Sequence, residues 1–150
     1  MDDVSISLAS EEDQEELVDF LAFNNGEQYR DLALKSVLIS FSRDYARHIF
    51  IKAMVGDVII GAAAFSEELF TVDTWGISWV SVHPDFRGEG IGMKLMKKCL
   101  LEIDSRTDRS VSVILGTYPD QTLLYDRLGF EKMGKDHEGG FYMIKHLMKP

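Results

Sequence analysis

The 150-residue chain has one cysteine, Cys99, so no intrachain disulfide can form and a reducing compartment is expected. No apolar run approaches membrane-spanning length, and the longest, Val58 to Phe65, reads as a buried strand. The start, Met1-Asp2-Asp3, is acidic where a secretory signal is basic. A cytoplasmic protein with no membrane partner is therefore expected. No repeat, low-complexity tract or linker divides the chain, and its length suits one domain, 1–150, with its own core. Basic residues are missing from the first 29 positions. Nine acids precede Arg30 (Asp2, Asp3, Glu11, Glu12, Asp13, Glu15, Glu16, Asp19, Glu27), and the other sixteen are matched by sixteen Lys and Arg. With no basic face to displace counterions, nucleic acid is not expected as a partner. The acidic stretch reads as a solvated helix face that complements a dipole, with attraction of a cationic ligand as the alternative. His48, His83, His137 and His146 show no metal-ligand spacing with one another or with Cys99, so no metal is expected. A Ser/His/Asp nucleophile arrangement is also missing.

What is present is concentrated in Val80 to Gly92, VSVHPDFRGEGIG. A β-branched run meets a glycine-rich turn, which opens into an amphipathic helix. Ile91, Leu95, Met96, Cys99, Leu100 and Ile103 recur at three- and four-residue spacing, with Lys94, Lys97, Lys98 and Glu102 opposite. Such a helix start presents unpaired N–H groups and the positive dipole end. Gly88, Gly90 and Gly92 withhold the Cβ atoms that would keep an anion away, which makes a phosphate cradle. The turn lacks the GK[ST] ending of a triphosphate loop and does not fit the dinucleotide fingerprint.

Elsewhere, strands are expected at Val4 to Leu8, Arg47 to Val55, Val58 to Ser66, Trp75 to Val82 and Ser110 to Leu115. A final hairpin pairs Phe130 to Met133 with Gly140 to Met148. A capping box at Ser10 and Asp13 starts a first helix, which Asn24-Asn25-Gly26 breaks. Further helices are expected over Asp31 to Phe41 and about Asp120 to Leu128, the latter closed by Gly129. Trp75 and Trp79, four apart on a strand, are expected on one face, lining the core or a cleft.

The turn reads R-x-x-G-x-G at Arg87, Gly90 and Gly92, preceded by V-x-P at Val82 and Pro84. Downstream, Leu124-Tyr125-Asp126-Arg127-Leu128-Gly129-Phe130 matches L-Y-x-[KR]-L-G-F. In that order and spacing these motifs closely resemble the GCN5-related N-acetyltransferase (GNAT) family. The resemblance implies a GNAT-type α/β fold: a mixed, mostly antiparallel sheet flanked by helices on both faces, in the order β-α-α-β-β-β-α-β-α-β-β. It implies acetyl-coenzyme A as co-substrate, with main-chain atoms around Val80 and Val82 on the pantetheine arm. The cradle from Arg87 through Gly88, Glu89, Gly90 and Ile91 to Gly92 would take the pyrophosphate. Glu89 puts a negative charge in that turn, which requires its side chain to face solvent. Tyr125 matches the family's general acid, against the plain reading of a core aromatic, and Arg127 belongs to the same signature.

Two positions depart from the family pattern. The strand glutamate that serves many members as base falls at Gly76, leaving Asp73, Glu67 and Glu68 as nearby acids that could act through water. The asparagine seven residues before the tyrosine is Tyr118 here, so that pantetheine contact must be remade or lost. The resemblance implies an N-acetyltransferase acting by direct attack of a primary amine, with small-molecule and peptide amines, cationic ones among them, as candidate acceptors. A coenzyme A-binding regulatory domain without turnover is the alternative, and homodimerisation is left open.

Overall fold

A computed structural model describes residues 3–41, 48–68 and 73–150. The elements are β1 (Val4–Leu8), α1 (Gln14–Asn25), α2 (Arg30–Ser40), β2 (Ile49–Val55), β3 (Val58–Glu67), β4 (Thr74–Val82), α3 (Ile91–Ser105), β5 (Val111–Thr117), α4 (Thr122–Arg127), β6 (Glu131–Lys135) and β7 (Phe141–Leu147). The order is the expected one. The Ser10 amide donates to the Asp13 carboxylate at 2.7 Å, but this box heads a single 3-10 turn, Glu11–Asp13, before α1 proper begins. Gly26 leaves α1 at φ 121°, and Gly56 turns β2 into β3 at φ 57°, backbone that disfavours other residues. The strand expected from Arg47 is described from Ile49, since Arg47 lies outside the described residues.

Among the described residues, seven strands form one sheet in the order β1-β2-β3-β4-β5-β7-β6. Only β4 and β5 run parallel; every other neighbour is antiparallel. Each face carries its own apolar cluster. On one, Leu95, Met96, Cys99 and Ile103 of α3 pack with Tyr125 of α4 on Ile51, Phe65, Val113 and Met143. On the other, Leu17, Val18 and Leu21 of α1 and Val37 of α2 cover Phe50, Ile59, Ala62 and Ala64. Alanines at 62, 63 and 64 keep β3 thin, so helices approach closely from both sides.

Two features of β4 position the site. It pairs with β5 only from Thr74 to Gly76, opposite Ser112 to Ile114, and the strands diverge beyond. Its register on β3 also shifts between Ala62 and Ala64, where Trp79 adopts φ 56°. This is a β-bulge, one extra residue that reverses the alternation of faces. Trp75 and Ile77 belong to the α3 cluster, Trp79 to the α1–α2 cluster, and Val80 and Val82 again to the α3 side. The expectation that Trp75 and Trp79 share a face is therefore corrected. Period two holds only while the strand is regular.

Candidate active site

The cradle is built by main chain. Gly88 and Gly90 sit at φ 81° and 80°, and a Cβ on either would meet nothing within 4 Å. Glycine is needed there for backbone conformation, and the space above stays open. Gly92 differs: a Cβ would press on Leu124 at 3.3 Å, so its role is close packing of α3 against α4. The first helical bond is donated by Lys94 to the Gly90 carbonyl at 3.1 Å, which leaves the preceding amides of the first turn facing outward. Glu89 is exposed, as the turn requires of it. Ile91 is buried beneath the turn and anchors it.

Arg87 ties the cradle to the rest of the fold. Its Nε donates to the Val82 carbonyl at 3.0 Å and its guanidinium to Asn24 Oδ1 at 3.1 Å. Asn24 and its neighbour Asn25, which donates to Ser81 Oγ at 3.1 Å, were legible only as a helix break. His83 is structural: its Nδ1 accepts from the Asp85 amide at 3.1 Å, and its ring stacks on Phe23.

A cleft of about 480 Å³ runs from the cradle along β4, lined by Val80, Val82, Arg87, Gly92, Tyr118 and Tyr125 among others. It continues into a cleft of about 240 Å³ where β4 and β5 part, lined by Trp79, Val80, Leu115, Tyr118 and Tyr125. Tyr125 borders both. It is 6 % exposed, with its ring edge on Phe130 at 6.1 Å between centroids. Burial, with a smaller effect from Cys99, pushes its phenol up to about 12, so it holds its proton at neutral pH. Tyr118 is exposed at the mouth shared by the two clefts. Arg127 is exposed on α4 and borders neither.

The acids expected near the central strand separate. Asp73 sits at φ 63° before β4 and pairs with Arg109 at 2.9 Å. Glu67 is exposed on β3, opposite Trp75. Neither lines a cleft along β4. Glu68 does: it folds back over Gly76, where a Cβ would overlap its Oε1. Among the described residues, no three His, Cys, Asp or Glu side chains are grouped as a metal site requires.

A family model described as "Acetyltransferase (GNAT) domain" matches residues 46–132, a span holding the bulged strand, the cradle and Tyr125. The chain belongs to the GNAT acetyltransferase family. As a member it shares its fold with solved acetyltransferases of low identity. An aminoglycoside 6'-acetyltransferase of type Ii superposes with a TM-score of 0.80 at 21 % identity, covering 97 % of this chain and 99 % of the other. PaiA N-acetyltransferase from Thermoplasma acidophilum, solved in complex with coenzyme A, gives 0.75 at 16 %, over 97 % and 99 %. A GNAT-family acetyltransferase from Staphylococcus aureus gives 0.76 at 16 %, again over 97 % and 99 %. Comparison with curated proteins finds no match. No helix of this acetyltransferase, among the described residues, is long and apolar enough to cross a membrane.

Proposed function

We propose that the protein transfers an acetyl group from acetyl-coenzyme A to a primary amine by direct attack, with no covalent enzyme intermediate. One observation carries the reading: a helix-start cradle and the parting of β4 from β5 are joined by a continuous cleft, and Tyr125 stands where its two parts meet. The cradle suits a pyrophosphate, since outward amides, a dipole end and two bare glycines converge there. Arg87 holds the turn to Val82 and Asn24, so the amides are preorganised before ligand arrives. The main chain released by the bulge at Trp79 and Val80 can pair with an extended pantetheine arm as an added strand. An amide there would polarise the thioester carbonyl.

The chemistry needs a neutral amine, a polarised carbonyl and a proton for the departing thiolate. Tyr125 supplies the last. Its burial keeps the phenol protonated until charge develops on sulfur. A panel of primary amines with acetyl-coenzyme A, followed by release of free thiol, tests the assignment. Turnover of at least one amine is expected. A protein that binds coenzyme A tightly but turns over none would instead be a regulatory domain of the same fold.

A further inference from the structure

A third cleft, of about 190 Å³, adjoins the parting of the strands and shares Ile77, Ser78, Leu115 and Gly116 with it. It occupies the part of the sheet face that α1 and α2 leave open, since their cluster covers β2 to β4 but includes no residue of β5, β6 or β7. Glu68 is the acid of this cleft. Its amide donates to the Thr74 carbonyl at 2.9 Å, and Ser66 Oγ donates to its Oε1 at 3.1 Å. These bonds bend the chain back and hold the carboxylate over Gly76, in the space a side chain at that position would fill.

Two further observations point to a ligand. His48 Nδ1 and Ser78 Oγ are buried polar atoms with no hydrogen-bond partner among the described residues, and both residues line this cleft. Buried polar groups are normally satisfied, so two unpaired ones on residues of this wall mark a place where the fold has left polar groups unserved. The charge balance is equally specific. Burial holds His48 below its ordinary range against the pull of Glu68, so the imidazole is neutral. Tyr142 of β7 is the other titratable group facing the carboxylate, and no Lys or Arg lines the cleft among the described residues. Among the described residues, one negative charge thus sits among neutral donors and acceptors, with Met133 and Tyr142 supplying apolar wall. That chemistry suits an ammonium group on an apolar stem.

We infer that this cleft receives the ammonium group of the acceptor and that Glu68, reaching over Gly76 from the end of β3, takes its proton; the inference rests on the acetyl-transfer reading above. The ammonium gives one proton to the Glu68 carboxylate, which frees the nitrogen lone pair. The C–N bond forms and the C–S bond breaks, sulfur keeping the bonding pair and receiving the Tyr125 proton. The nitrogen sheds its second proton to solvent, from which the phenolate is replenished, and the Glu68 carboxyl returns its proton to solvent before the next turnover. Each turnover converts an ammonium and a thioester into an amide, a thiol and one released proton.

The test uses the fastest amine of the panel, with thiol release followed across neutral and alkaline pH and coenzyme A affinity measured by calorimetry. Glu68→Gln should lower kcat/KM about a hundred-fold near neutrality, the scale of losing one general base. The deficit should shrink as pH nears the pKa of the amine, because solvent then supplies the neutral nucleophile. Coenzyme A affinity should not change. The double variant Glu68→Ala/Gly76→Glu places a carboxylate over the same spot from β4, and should run at least about ten times faster than Glu68→Ala. A purely structural Glu68 predicts no such rescue. Parent turnover that Glu68→Gln leaves unaltered overturns the assignment of Glu68 alone. So does a double variant that binds coenzyme A normally yet stays as slow as Glu68→Ala. A parent that turns over no amine overturns the transfer reading and this inference together.

Discussion

The two sides of the β4–β5 parting are built from different material. The side we assign to the coenzyme is main chain: outward amides, two left-handed glycines and a bulged strand, nearly all within Val80 to Gly92. The side we assign to the acceptor is side chain: His48 before β2, Ser66 and Glu68 at the end of β3, Ser78 on β4 and Tyr142 on β7. Main chain presents a phosphate with the same groups whatever the neighbouring residues are, so that side needs glycines at fixed spacing and little else. Recognition of an acceptor needs particular functional groups at particular distances, and the fold gathers them from positions far apart in the chain. One side can be written as a motif. The other cannot.

The largest effect should come from breaking the main-chain side. Gly90→Glu places a carboxylate where the pyrophosphate would lie and forces an L side chain to φ 80°. Coenzyme A affinity should fall by at least about a hundred-fold, since repulsion and bulk add to the lost approach of the helix amides. The backbone strain costs about 1–2 kcal/mol, which a surface turn absorbs without unfolding the domain. Calorimetry that finds parental affinity in a folded variant removes the cradle from the coenzyme site.

Tyr125→Phe comes next, because it deletes one hydroxyl at the boundary between the two sides. The ring keeps its edge contact with Phe130, so stability and coenzyme A affinity should stay near parental values. The value of kcat should fall about ten- to a thousand-fold, as for the loss of a general acid. An equally fast variant would make Tyr125 a core aromatic and nothing more, while leaving the family intact.

This division of materials explains what could be read in advance. The element order follows from periodicity and stands as expected, and two contiguous motifs locate the turn before α3 and Tyr125 on α4, both of which border one cleft. The shared face of Trp75 and Trp79 does not stand. A bulge inserts its residue through hydrogen bonding to β3, which no spacing within β4 reveals. Asp73 and Glu67 stand close to β4 in sequence, as does Glu68, yet of these three only Glu68 lines one of the clefts described along β4. The choice turns on strand parity at the end of β3 and on the room left by Gly76, both properties of the assembled sheet. Gly92 also reads differently in place. Its missing Cβ makes room for Leu124 rather than for an anion.

A smaller effect tests whether the acidic N-terminal region belongs to the acceptor side. Several of its acids are already engaged: Asp13 with Lys52 at 2.8 Å, Asp19 and Glu27 with Arg30, and Glu16 with the Ile59 amide at 2.8 Å. Burial raises the Asp13 pKa, but hydrogen bonds from Lys52 and the Ser10 amide outweigh it and leave the carboxyl below its ordinary value. A depressed folded-state pKa stabilises the protein above the unfolded-state value of 3.8 and is lost as pH falls through the folded-state value. Asp13→Asn should therefore lower stability by about 1–2 kcal/mol at neutral pH, with the difference from the parent closing in acid. The KM for a cationic amine should be unchanged. A raised KM at unchanged stability would instead make these acids part of acceptor recognition.

The smallest expected signal reads the bulge itself. Trp75 is 8 % exposed, with its ring 6.3 Å from Phe65 in the α3 cluster, away from every cleft along β4. Trp79, one bulge later, packs beside α1 and α2 and borders the cleft where the thioester would lie. Each can be isolated by replacing the other with Phe, which keeps an aromatic ring in place. In Trp75→Phe the remaining indole is Trp79, and its emission should shift by a few nanometres when acetyl-coenzyme A displaces water from the cleft. In Trp79→Phe the remaining indole is Trp75, shielded by the core, and its emission should stay still. The two variants must differ if the bulge turns Trp79 out of the α3 face. Equal responses from both would return the two indoles to one face, and with it the regular strand that their spacing alone implies.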